Sequence, residues 1–175
     1  MTDSGLTLED LYTTYTSKEQ IKDSYEKRTV PTGRYTFFAN KAEGRVATDT
    51  SPWPGRKMGS FFGQLKDEEG KRKGSVGFDA SWEVQYYSDR NGHKRQDAPS
   101  SLWGQLTVAL GMEEAPVGKV IEAVGKYPLN MYVNEAFKNP ETNKWVNAST
   151  ADERNDMRKK GWDSRNFVRS IGKMK

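Results

Sequence analysis

The 175-residue sequence has no cysteine, so neither a disulfide framework nor a thiolate metal site can be built from it, and the absence fits a reducing compartment. It also removes the thiol as a nucleophile. Histidine is nearly as scarce: His93 is the only one, set between an Asn-Gly turn signal and Lys94-Arg95, where it reads as an exposed loop residue. No His pair is left for zinc. Apolar residues make up only 34% of the chain, with a mean hydropathy of -0.93, and no apolar run approaches the ~20 residues of a membrane span. The opening MTDSGLTLED carries neither the basic nor the apolar region of a secretory signal. These shortages predict a soluble, cytoplasmic protein with no membrane partner.

What is present is aromatic and basic. Aromatic residues reach 11%, too many for a disordered chain, so a modest core must lean on Trp, Tyr and Phe, which favours β structure. The net charge is +4 with a pI of about 9.1, and it is polarised. From Arg154 to Lys175 there are eight Lys or Arg against two Asp, a net of +6, which leaves -2 for everything before. A basic segment on a near-neutral body suits a polyanionic partner.

Two capping patterns, Thr7 to Asp10 and Ser17 to Gln20, predict short helices over 8–15 and 18–27. Their apolar faces are thin, so residues 1–28 read as a helical arm that needs something to pack on. Pro31 and Gly33 then break the helix, and "RYTFFA" predicts a first strand over 33–40, with Tyr35, Phe37 and Ala39 on one face and Arg34, Thr36 and Phe38 on the other. Residues 44–56 read as a loop holding Trp53 between two prolines. "KMGSFFGQL" and "SVGFDASWEVQYY" predict two more strands, with Phe78 and Trp82 inward. "SDRNGHKRQDAP" reads as a polar loop. Ser100 or Ser101 is placed to cap a helix ending at Gly111, and a further helix is expected from Pro116 to about Val124. "YPLNMYVNEAF" and "WVNA" predict a hairpin about "KNPETNK", Thr150 caps a charged helix, and "SRNFVRSI" is a last strand with Phe167 or Val168 inward.

Three antiparallel strands, a helix and a β-hairpin follow the order of the OB-fold, a small Greek-key barrel that binds oligonucleotides across strands two and three and their flanking loops. The expectation for 29–175 is therefore a mainly β, five- to six-stranded antiparallel Greek-key barrel with N-terminal helices and a helix between strands three and four. The relevant loops would be 44–56 and 138–144, beside Trp53 and Trp145.

Catalysis is hard to assemble from these residues, and the chain does not read as an enzyme. The pairs Asp67/Glu68/Glu69, Glu113/Glu114 and Asp152/Glu153 fall in turns or at helix starts, where solvation and dipole pairing account for them. Carboxylates of this kind leave a magnesium nuclease open as an alternative. The glycines of "GSFFG" and "GKRKGSVG" lack the Gly-Lys-Ser/Thr ending of a phosphate-binding loop. Single-stranded nucleic acid asks for cations that follow the phosphates and aromatic faces on which bases stack. Trp53 with Arg56 and Lys57, Phe61 or Phe62, Tyr86 and Tyr87 ahead of Arg90, Lys94 and Arg95, and Lys144 beside Trp145 supply both.

The stretches "VPTGRYTFFANKAE", "LWGQLTVALGM", "VGKVIEAVGKYPLNMYV" and "SRNFVRSI", with a Gly-Arg-Lys lead into the second strand, resemble bacteriophage-type single-stranded DNA-binding proteins of the OB-fold kind. The likeness covers about 29–172, in a Pro-x-Gly-x-Tyr first strand, a short helix ending in Leu-Gly, a Gly-Lys lead into the fourth strand and a final Asn-x-Val strand. It implies sequence-independent binding and protection of single-stranded DNA during replication, recombination or repair, with no cofactor, in the host cytoplasm if the protein is viral, and with replication or recombination proteins as further partners. Carried onto this chain, Arg34, Trp53, Arg56, Lys57, Phe61, Tyr86, Arg95, Lys144 and Trp145 would line the groove. Two features depart from that pattern. The chain ends in "GKMK" rather than in an acidic tail, and the N-terminal arm is additional to a minimal barrel. The alternative is a structural or assembly protein, a virion or scaffold component, whose arms self-associate.

Overall fold

A computed structural model describes residues 5–18 and 29–174. The chain is mainly β, with one large antiparallel sheet and a few short helices. After α1 (Leu8–Thr13) come β1 (Gly33–Val46), β2 (Lys57–Lys66) and β3 (Arg72–Ala80), then the small hairpin β4 (Tyr86–Ser88) and β5 (Lys94–Gln96). Helices α2 (Ala98–Leu110) and α3 (Val117–Lys126) precede β6 (Leu129–Lys138), β7 (Trp145–Asn147), α4 (Ala151–Lys159) and β8 (Asp163–Gly172). The helix expected over 18–27 lies outside the described residues.

The main sheet runs β3-β2-β1-β6-β7, and β8 pairs with the other edge of β6. It is not closed into a barrel: its outer strands β3 and β8 come near each other, but no ladder joins them, and α2 packs against both. The expected partnership of β6 with a "WVNA" strand is corrected in extent. β7 pairs with β6 only through Ala136–Lys138, whereas β8 pairs along Asn130–Lys138. Each sheet residue that gains both neighbours satisfies its backbone groups without water, and the longer ladder satisfies more of them.

Alternation along β1 and β2 separates two faces. Phe37, Phe61, Leu65, Val76, Met131 and Val133 point inward to a core closed by Leu102, Trp103, Leu106, Val120 and Val124 from α2 and α3. Phe78 and Trp82 pack against this core while remaining half-buried. Of the final strand's two candidates, Val168 packs inward and Phe167 stays exposed. α2 starts one turn earlier than expected, because Asp97 rather than a serine is its N-cap, accepting from the Ser100 amide, with Pro99 in the first turn. Gly111 ends it in left-handed backbone at φ 65°.

β1 is longer than its composition suggested and contains a bulge. Ala39 pairs with Gly63 and Lys41 with Phe62, so Asn40 is the extra residue. The backbones close tightly there. A Cβ at Gly63 would lie 2.2 Å from the Phe38 carbonyl oxygen and 2.8 Å from the Ala39 Cα. Gly63→Ala should therefore cost at least about 1–3 kcal/mol, read as a lower denaturation midpoint; an unchanged midpoint would show that the bulge can yield.

Candidate nucleic-acid interface

The bulge decides which side chains share the outward face. Phe38 and Lys41 are three residues apart and would fall on opposite faces of a regular strand. With Asn40 inserted, both point outward, beside Gln64 and Phe62 of β2. Phe38 is 38% exposed and Phe62 48%, large fractions for phenylalanine in the middle of a sheet. The Lys66 ammonium sits 4.4 Å from the centre of the Phe38 ring. Next to Phe62 on β3 is Gly77, where any side chain would lie against the Phe62 ring. An open groove of about 470 Å³ runs here, lined among others by Lys41, Arg45, Phe62, Gly77 and Asp79. The carboxylates here are paired: Arg45 donates to both oxygens of Asp79, at 2.7 and 3.3 Å, and Glu43, of the same outward parity, pairs with Lys41 at 3.1 Å.

A second aromatic station lies on β6, β7 and β8. Trp145 and Phe167 meet edge to face at 5.5 Å. Arg165 lies 5.5 Å from the Trp145 ring and 6.0 Å from the Phe167 ring, and Lys138 approaches Trp145 at 6.0 Å. Arg34 stands between the two stations, outward on β1 and paired with Tyr132. Lys144 is exposed in the turn just before Trp145. An exposed cation–π contact is worth about 0.5–1 kcal/mol and a stacked base about 1–3 kcal/mol. A base can therefore displace an ammonium from these rings, leaving the cation beside the phosphate.

Two of the expected groove residues belong inside the protein. Phe61 is 2% exposed and packs on Phe78 with ring centres 5.1 Å apart; its parity with Leu65 sends it inward, and its neighbour Phe62 outward. Arg56 is 4% exposed. Its guanidinium donates to Asp97 at 2.5 and 2.9 Å, to the Ser81 and Ser100 hydroxyls and to the Glu83 carbonyl. All three guanidinium nitrogens are engaged, and burial keeps the group away from a phosphate. Arg56 instead ties the end of the 47–56 loop to the base of the β4–β5 hairpin, so it positions two elements that carry other candidates.

Those elements hold Trp53, 49% exposed in the loop, and Tyr86, 50% exposed in the hairpin with Lys94 at 4.2 Å from its ring. Lys57 is exposed where the loop enters β2. Arg95 is exposed but pairs with Asp89 at 3.1 Å. Four hydrogen bonds raise the acidity of Asp89: the His93 amide contributes most, then the Arg95 side chain, with the Asn91 amide and the His93 side chain after the opposing effect of burial. Part of the segment expected to be a loop, 88–99, is strand instead: β5 pairs with β4, which carries the last residues of the strand expected over 75–87, in a hairpin held by this aspartate turn.

Phe38, Lys41, Lys66, Arg165 and Phe167 are absent from the sequence candidates, and of the alternatives Phe61 and Phe62 it is Phe62 that faces outward. Phe38 shares its parity with Arg34, and Phe62 is the member of the Phe pair out of phase with Leu65, so both carried a readable signal. Lys41 carried none, because the bulge that turns it outward leaves no mark in the alternation. Among the described residues no group of three or more carboxylate or imidazole side chains could hold a metal ion, and no helix is long and apolar enough to cross a membrane. No family model matches the chain, and neither curated proteins nor solved structures provide a match.

Proposed function

We propose that the protein binds single-stranded DNA without strong sequence dependence, laying bases on Phe38 and Phe62 and phosphates against Lys41 and Lys66. The observation that carries this reading is the pair of outward phenylalanines on adjacent strands, flanked by cations and left uncovered by Gly77. A soluble monomer gains nothing by exposing two such rings at the centre of a sheet. Supporting it is the strand order β3-β2-β1-β6-β8, with the helices inserted between β3 and β6. This is an order compatible with a partly open OB barrel, a fold that binds oligonucleotides across its second and third strands. Trp53, Tyr86 and Trp145 extend the stacking surface beyond the sheet, and Arg34, Lys57, Arg95 and Lys144 extend its positive charge. The role we propose is to cover single strands during replication, recombination or repair.

The test is a tryptophan-fluorescence and anisotropy titration with a ~30-nucleotide oligo-dT and its matching duplex at two salt concentrations. Tighter binding to the single strand, weakening steeply with salt as counterions are released, is expected. No binding at low salt would sink the proposal.

A second reading, an assembly protein, has one observation of its own. α1 is well capped, with Thr7 and Asp10 exchanging hydrogen bonds at 3.1 Å, yet none of its residues is buried. Leu8, Leu11, Tyr12 and Tyr15 are each more than 60% exposed. A discrete oligomer with no salt-sensitive affinity for DNA would favour that reading.

A further inference from the structure

Beside the Trp145–Phe167 station lies a second groove, of about 430 Å³, lined by Thr32, Tyr132, Asn134, Asn147, Ser149 and Arg169. Ladder register accounts for most of this lining. Tyr132 and Asn134 have the outward parity of β6, and Asn147, two residues from Trp145 on β7, pairs with Ala136 of the same parity. Arg169 reaches it through a bulge: Tyr132 pairs with Ser170 and Val133 with Val168, so Arg169 is the extra residue of β8.

Several polar side chains elsewhere on the protein are committed to one another, as in Arg45–Asp79, Arg95–Asp89 and Lys160–Asp156. The groove differs. Thr32 is engaged, donating to the Ala148 carbonyl and accepting from the Glu135 amide. The Tyr132 hydroxyl, the Asn134 and Asn147 amides and the Arg169 guanidinium make no hydrogen bond to a described residue. Three neutral hydrogen-bonding groups and one cation therefore converge with their bonds unspent.

A phosphate alone would call for several cations. A side-chain amide instead presents a donor and an acceptor side by side, which is the pattern at the edge of a nucleobase. The Tyr132 ring offers a face for stacking, and Arg169 a partner for the adjoining phosphate. We infer that this groove is a base-reading subsite, in which Asn134 and Asn147 hydrogen-bond the edge of one nucleotide while Arg169 holds its phosphate. The inference rests on the reading of this sheet as a single-strand-binding surface. It adds a definite consequence: binding is sequence-tolerant along most of the strand and selective at one position.

The test compares the full-length protein with an Asn134→Ala/Asn147→Ala double variant. Both are titrated with oligo-dT, oligo-dA, oligo-dC and an abasic strand of the same length. Both asparagines point outward with unspent amides, so the variant should keep its fold, checked by its thermal midpoint. The wild type should discriminate between its best and worst homopolymers by roughly tenfold, the variant by less than about twofold, and the abasic strand should bind both proteins equally. If the wild type binds all homopolymers alike, or the variant keeps the wild-type spread, the subsite is wrong while the single-strand-binding reading stands. If the wild type binds none of the strands, abasic included, both fall.

Discussion

Arg56→Ala should lower the stability of the protein by about 3–5 kcal/mol, the usual consequence of leaving one member of a buried ion pair alone. Against a typical total of roughly 5–15 kcal/mol, that removes a large share. For a chain of this size it corresponds to a drop in thermal midpoint of roughly 6–20 °C. The guanidinium serves two side-chain hydroxyls, one backbone carbonyl and both oxygens of Asp97. Arg56→Lys keeps the charge but offers a single point donor in place of a planar fork, so it should recover only part of the loss. A midpoint for Arg56→Ala within about 2 °C of wild type would show that the network is not holding the loop and hairpin together.

The same pair sets an acid limit. Burial alone would raise the pKa of Asp97, but the hydrogen bonds from Arg56 and from the Ser100 hydroxyl and amide outweigh it and hold the carboxyl below its ordinary value. A group depressed in the folded state contributes stability that is fully present above its unfolded pKa, about 3.9. That contribution is lost as pH falls through the lower, folded value. Wild-type stability should thus be flat in this respect above about pH 5 and fall below pH 4. Asp97→Asn should be less stable at neutral pH and show a shallower acid dependence. Denaturant midpoints measured at several pH values would show either pattern.

The largest effect on binding is expected from Phe38→Ala combined with Phe62→Ala. Each ring stands to lose about 1–3 kcal/mol of stacking, or roughly fivefold to more than a hundredfold in affinity per site. Neither ring is fully buried, so the double variant should keep most of its stability. Phe61→Ala is the contrasting substitution. Its ring is in the core, so it should cost about 3–5 kcal/mol of stability and affect DNA binding only through loss of fold. Anisotropy titrations and thermal melts on the three proteins separate the two roles. If the Phe38/Phe62 variant bound oligo-dT as tightly as wild type, the sheet face would not be the stacking surface, and the Trp53 loop and Tyr86 hairpin would become the next candidates.

The contrast between Phe61 and Phe62 shows where sequence reading stopped. Adjacent residues of a strand face opposite ways, so one ring goes in and the other out. Phase with Leu65 favours Phe61 as the inward ring, but which face is covered was decided only where α2 and α3 pack. Arg34 and Arg56 look alike in sequence, each a cation beside aromatics and turn residues. Arg34 ends exposed, while Arg56 ends buried because Asp97, Ser81 and Ser100 close around it. Glu135 gave no signal at all. It sits in the middle of β6 with 0% exposure, satisfied by Thr29, Arg154 and Arg158, which arrive from 106 residues before it and from the helix after it. The hairpin signal drew attention to β7, yet the longer ladder of β6 is with β8.

The sequence by itself determined the local structure: strands by two-residue alternation, helices by their Thr7, Pro116 and Thr150 starts and the Gly111 stop, turns by glycine and asparagine. It also excluded thiol chemistry and left aromatics and cations as the candidates for a binding surface. These properties are set by a residue and its few neighbours. The tertiary structure decided which face of each strand was covered, which charges were neutralised and which strands became neighbours. Such choices depend on contacts between residues far apart in the chain, and one inserted residue such as Asn40 is enough to turn the side chains beyond it to the other face.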